Sequence, residues 1–144
     1  MSRTSSASAT WNGVLKSGDG YFEAGSGAFK GEYSFPTRFG SQAGTNPEEL
    51  IAAAHAACFS MALAANLEKA GIPPTQISTT AKCTLEVTDA GPRIATMQLT
   101  VRGRVPGADQ DAFQKAAHDA KNGCPVSGAL KGNVSVDMTA TLES

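Results

Sequence analysis

Residues 45–71, TNPEELIAAAHAACFSMALAANLEKAG, decide the fold. They predict one long helix that is apolar almost all the way round, and a helix without a polar face has to be buried. The rest of the chain is therefore expected to wrap it. Thr45 or Asn46 can cap the first amides. Pro47 suits the first turn, where its missing N–H is no loss, and Glu48 and Glu49 complement the positive end of the helix dipole. Gly71, with Pro73 and Pro74 behind it, marks the other end. At 1.5 Å per residue, about 24 residues make a rod of roughly 36 Å.

The run Leu50–Leu67 is long enough to raise a membrane-spanning reading. It contains His55, Ser60 and Asn66, however, eight of its eighteen positions are alanine, and no Lys or Arg cluster precedes it. The alanines favour close approach of a second helix instead, naturally the same helix of a second subunit.

Outward from this stretch, the 144 residues are a single-domain length, 1–144, with a net charge of −1 and only 17% charged residues. That balance excludes nucleic acid and anionic membrane as electrostatic partners. The start, MSRTSSASATWNG, carries no apolar stretch of the kind a secretory signal needs, so a cytoplasmic protein is expected. An odd count of three cysteines, none in a CxxC spacing, points to reduced thiols rather than a disulfide framework. With only His55 and His118 besides, a zinc site would need scattered single ligands, and neither metal nor cofactor is expected.

Before the helix, residues from Ala7 to Phe39 read as strands punctuated by Ser17-Gly18-Asp19-Gly20 and Gly25-Ser26-Gly27. Ala28 to Phe35 alternates as a half-buried strand. Pro36 ends it, and PTRFGSQAGTN reads as a loop holding Arg38, the only cation between Lys30 and Lys69. After the helix, two alternating runs flank Asp89-Ala90-Gly91-Pro92 as an antiparallel hairpin, with Cys83 filling its apolar face. Asp109 opens a second helix with the stripe Ala112, Phe113, Ala116, Ala117 and Ala120, and His118 lies off the stripe. Cys124 then sits at the cap of a short helical turn begun by Pro125, a position that favours a thiolate. Residues 134–142 alternate as a last strand. The fold class is α+β, a long buried helix packed on curved antiparallel sheet.

Cys58 and Cys124 are the thiols not explained as strand filler. A mid-helix cysteine in an apolar run is by default inert, because burial raises its pKa. At 100° per residue, Glu48 lies about 80° from Cys58 around the helix axis and Glu49 about 180°. A carboxylate alone would oppose the thiolate, so Glu48 makes sense beside Cys58 only with a cation between them, and Arg38 is the candidate. His55 lies about 60° from Cys58, which leaves a Cys-His hydrolase arrangement open beside the reading of a satisfied buried histidine.

Thr45-Asn46-Pro47-Glu48-Glu49-Leu50 leading to His55-Ala56-Ala57-Cys58-Phe59, together with Asn122-Gly123-Cys124-Pro125-Val126-Ser127, strongly resembles the osmotically inducible protein C (OsmC) family of thiol peroxidases. The organic hydroperoxide resistance (Ohr) proteins share the pattern, but Glu49 and His55 place the chain nearer the OsmC branch. The resemblance implies an OsmC-like fold forming an intertwined homodimer with active sites at the subunit interface. It implies a peroxidase that reduces organic hydroperoxides and hydrogen peroxide. Cys58 would be the peroxidatic cysteine, Cys124 the resolving one, and Arg38 and Glu48 the pair that activates the thiolate, with an external dithiol, lipoyl-type in the Ohr branch, as reductant. The alternative is a non-enzymatic dimeric redox-sensing or binding module.

Overall fold

The computed structural model describes residues 1–143, which group into two compact units, Met1–Leu50 and the described residues from Ile51 onward. In the first unit β1 (Ala7–Asn12), β2 (Asp19–Ala24) and β3 (Lys30–Tyr33) form an antiparallel sheet in sequential order. Its buried side chains come from one parity of β2, where Gly20, Phe22 and Ala24 face in. Phe22 packs against Phe29 and Tyr33, and Tyr33 against Trp11.

The segment expected to be a loop after Pro36 begins instead with a short helix, α1 (Phe35–Phe39). Ser34 caps it: its hydroxyl accepts from the Thr37 N–H while the Thr37 hydroxyl accepts from the Ser34 N–H, a reciprocal capping box. Pro36 falls in the first turn, where it initiates rather than breaks.

Helix α2 (Pro47–Lys69) starts under Asn46, whose side-chain oxygen accepts from the Glu49 N–H at 2.8 Å. It ends on Gly71 at φ +79. There the Ile72 N–H bonds Leu67 O and the Gly71 N–H bonds Glu68 O, a Schellman closure with Ile72 and Leu67 as its apolar pair.

In the second unit β4 (Gln76–Thr88) and β5 (Gly91–Arg104) form the expected antiparallel hairpin, with an irregularity in register at Thr84/Leu85. Then come α3 (Gln110–Gly123), capped by Asp109, the short α4 (Pro125–Leu130) and β6 (Ser135–Leu142). The α+β class holds, but the expectation of wholly antiparallel sheets does not. β6 pairs parallel to β5, Thr96 opposite Ser135 through Gly103 opposite Leu142. The reason is the connection: α3 and α4 intervene between the two strands, and a crossover of that length returns the chain parallel.

One core fills this unit. Phe59, Leu63 and Leu67 of α2 cluster with Met97, Leu99 and Val101 of β5, with Phe113, Ala116, Ala117 and Ala120 of α3, and with Cys124. Asn66 Nδ2 donates to Ala116 O, and the Ser60 and Thr79 hydroxyls bond at 2.8 Å. The single chain does not wrap α2 on all sides as its composition suggested. Its buried positions, Glu48, His55, Phe59, Leu63 and Leu67, form one stripe, while Ala53, Ala54, Ala57, Ala65 and Met61, 76% exposed, face outward. By length and mean hydropathy, 1.7, the helix would pass for a membrane span, but its histidine, core stripe and capped ends are those of a helix built into a fold.

Candidate active site

In the first unit, α1 carries Arg38 and the first turn of α2 carries Glu48. Both Arg38 Nε, at 3.1 Å, and one terminal nitrogen, at 2.8 Å, donate to the same oxygen, Glu48 Oε1. The Glu48 side chain is 8% exposed and that of Arg38 34%. Two charge-assisted bonds on one oxygen leave the other carboxylate oxygen and part of the guanidinium fork free for a further partner. The guanidinium carbon of Arg38 lies over the Phe39 ring, 5.3 Å from its centre. The pair proposed from sequence is thus formed, and Arg38 owes its place to the helix that the sequence reading took for a loop.

In the second unit, the Sγ atoms of Cys58, in the middle of α2, and Cys124, at the cap of α4, stand 3.0 Å apart across 66 residues of sequence. Both thiols are free, Cys124 buried and Cys58 half-buried. Their acidities diverge. Burial pushes the Cys58 thiol up, and its hydrogen bond with Cys124 pushes the same way, against the opposing Val126 amide. Burial also acts to raise Cys124, but its hydrogen bond with Cys58, the Ser127 and Val126 amides and the Ser127 hydroxyl outweigh it and hold Cys124 below the ordinary thiol value. No close side-chain cap bond is made by Cys124, so the amides act as the positive end of a helix N-terminus.

Sequence reasoning left Ser127 and His55 without a joint role. His55 is fully buried, and its Nε2 lies 2.8 Å from Ser127 Oγ, while its Nδ1 has no partner. Two signals were available: Ser127 follows the cap residue Cys124 by three positions, and His55 shares the buried stripe with Phe59 and Leu63. Cys83 packs half-buried at the margin of the core and His118 is exposed, as their strand and helix parities suggested. Among the described residues no group of three or more His, Cys, Asp or Glu side chains is arranged to hold a metal ion.

Comparison with known proteins identifies the family. Residues 40–139 match the family described as OsmC-like protein. The chain is 48% identical to Peroxiredoxin OsmC of Escherichia coli over 90% of its length and 91% of the relative's. It is 33% identical to the organic hydroperoxide resistance protein of Xanthomonas axonopodis pv. citri, over 78% and 79% of the two chains. The crystal structure of an organic hydroperoxide resistance protein from Elizabethkingia anophelis superposes with a TM-score of 0.79 at 27% identity, covering 99% of this chain and 100% of that one. By family match, by identity and by the architecture that carries its two thiols, the chain belongs to the OsmC-like family and is a thiol peroxidase.

Proposed function

We propose that the protein reduces organic hydroperoxides and hydrogen peroxide by a two-cysteine cycle, acting as one OsmC-like domain in the cytoplasm. The observation that carries the reading is the 3.0 Å separation of two free sulfurs on different elements. The Cys58 thiolate attacks the O–O bond; one oxygen stays on sulfur as sulfenic acid and the other leaves, protonated, as alcohol or water. Cys124 then attacks the Cys58 sulfur, forming the disulfide and releasing water. An external dithiol, of lipoyl type on analogy with Ohr proteins, reduces the disulfide by exchange and leaves as its own disulfide.

Cys58 needs help to ionise, since burial and its neighbour both raise its pKa. Arg38, steadied by Glu48, is the cation that supplies it, stabilising the thiolate and orienting the peroxide. The outward face of α2, alanines around Met61, supports a homodimer in which this helix is covered by a second copy and the active sites lie at the interface. The names of the relatives, a peroxiredoxin and hydroperoxide resistance proteins, support the substrate class.

The test is turnover. Reduced protein mixed with cumene hydroperoxide or hydrogen peroxide and excess dihydrolipoamide should consume many equivalents of peroxide. One equivalent consumed and no more, with the dithiol present, would overturn the enzyme cycle in favour of a redox-sensing module.

A further inference from the structure

The two elements that carry the thiols are joined a second time. His55 and Ser127 are the buried polar side chains of the second unit, with Nε2 and Oγ 2.8 Å apart. His55 precedes Cys58 by three residues on α2, and Ser127 follows Cys124 by three at the start of α4. Three positions along a helix come to about one turn, so the 2.8 Å bond stands roughly one turn from the 3.0 Å pair of sulfurs on both elements.

The short helix α4 needs such a fastening. At six residues it is too short to hold its own shape in water, and its cap residue Cys124 makes no side-chain cap bond. Val126 and Leu130 pack half-buried against the core, but apolar contact is non-directional. The His55–Ser127 bond is directional and fixes where the first turn of α4 sits on α2. Nδ1 of His55 has no partner, and a proton there would be a buried donor without an acceptor, so the proton is assigned to Nε2, which donates to Ser127 Oγ. Burial disfavours the imidazolium, which keeps this donor neutral.

We propose that the His55–Ser127 hydrogen bond is a latch that seats Cys124 against Cys58 and sets the reduction potential of the pair, both residues being positioning groups. The inference rests on the two-cysteine reading and deepens it. Closing the disulfide by exchange moves two electrons and two protons from the two thiols to an external disulfide, which becomes a dithiol. Thiols already held at 3.0 Å lose little freedom when the S–S bond forms, whereas Cys124 on an unfastened α4 has to be brought back first. The latch therefore favours the disulfide at equilibrium and limits how readily an external dithiol reopens it.

The experiment needs no peroxide. The protein is equilibrated in mixtures of lipoamide and dihydrolipoamide, and the fraction of Cys58–Cys124 disulfide is read by alkylating the free thiols and weighing the products by mass spectrometry. Ser127→Ala removes one oxygen and should lower the equilibrium constant for oxidation about fivefold, the size of one net hydrogen bond, which is a shift of about 20 mV toward less negative potential. His55→Leu should do the same, and the double variant His55→Leu/Ser127→Ala should be no worse than either, because both substitutions remove one bond. His55→Gln keeps a nitrogen donor and should restore most of the constant, which a general loosening of the fold would not allow. An unchanged potential in Ser127→Ala overturns the latch. So does a more negative one, which would mean that the hydroxyl acts by stabilising a thiolate rather than by position, and so does His55→Gln no better than His55→Leu. Absence of any Cys58–Cys124 disulfide in the unaltered protein across all mixtures overturns the two-cysteine reading beneath it.

Discussion

The Cys58 and Cys124 sulfurs lie 3.0 Å apart as free thiols, and burial raises the first while its surroundings lower the second. A disulfide needs the sulfurs only about 1 Å closer. The two elements that carry them therefore need little movement to close the bond, and under the proposed cycle the cysteines divide the work unequally. Cys58→Ser should abolish peroxide consumption. Cys124→Ser should permit one turnover and then accumulate sulfinic acid at Cys58, read as a gain of two oxygens by mass spectrometry. Full activity in Cys58→Ser would sink the mechanism.

Arg38 and Glu48 should behave as a unit. Arg38→Ala removes the cation proposed for the thiolate and should lower the rate of Cys58 oxidation about 10- to 100-fold, the range of a lost charge-assisted bond. Glu48→Gln should cost less, since the amide oxygen still accepts from the guanidinium. Stability should fall by about 1–2 kcal/mol in Arg38→Ala, below the cost of breaking a fully buried pair, because a third of the arginine side chain is in solvent. Stopped-flow oxidation beside urea unfolding separates the two effects, and an unchanged oxidation rate would remove Arg38 from the site.

How far the chain could be read before its structure depended on whether the signal was local. The caps of α2 and α3, the β4–β5 hairpin turn and the cap position of Cys124 are set by neighbours within about four residues, and each stands where the sequence put it. The helix α1 was hidden because Pro36 reads as a breaker unless Ser34 and Thr37 are seen as its capping pair. The parallel pairing of β6 depends on where α3 and α4 deliver the chain, which strand alternation does not encode. The nucleophile role proposed for Cys58 could be read only through the resemblance, since an apolar helix reads as core. The His55–Ser127 bond spans 72 positions, so the place of each residue beside a cap or on the buried stripe could not show that the two meet.

The packing of α3 on β5 should be intolerant at Gly103. A Cβ there would meet the Phe113 ring at 2.5 Å, and that ring is fully buried. Gly103→Ala should therefore cost about 1–3 kcal/mol by overpacking. Gly103→Ala with Phe113→Leu should recover part of it, since the shorter side chain vacates the space. Urea midpoints at constant slope are the measure; equal stability of Gly103→Ala and the unaltered chain would contradict the close approach.

The outward face of α2 should decide the oligomeric state. Met61 is 76% exposed between the outward alanines Ala53, Ala54, Ala57 and Ala65 of the helix, a surface that water covers poorly. Met61→Asp would bury an unpaired charge in the proposed interface while leaving the core stripe of Phe59, Leu63 and Leu67 untouched. The variant should sediment as a monomer and lose peroxidase activity with its partner. Identical sedimentation of the variant and the unaltered chain would argue against this face as the contact.

His55 should leave a mark on the acid side of the stability curve. Its folded pKa is lowered from 6.5 because burial penalises the imidazolium. The unfolded chain therefore takes up a proton at a pH where the native state does not. The stability that comes from keeping His55 neutral is complete above pH 6.5 and is lost as pH falls from there toward the folded value, at up to about 1.4 kcal/mol per pH unit. Other groups are common to both proteins, so the informative quantity is a difference. His55→Gln cannot take up the proton, and its thermal midpoint should fall less steeply than that of the unaltered protein between pH 7 and 5. Parallel curves for the two proteins would show that the imidazole reaches water or a partner when protonated, and would remove the basis for treating it as a neutral donor.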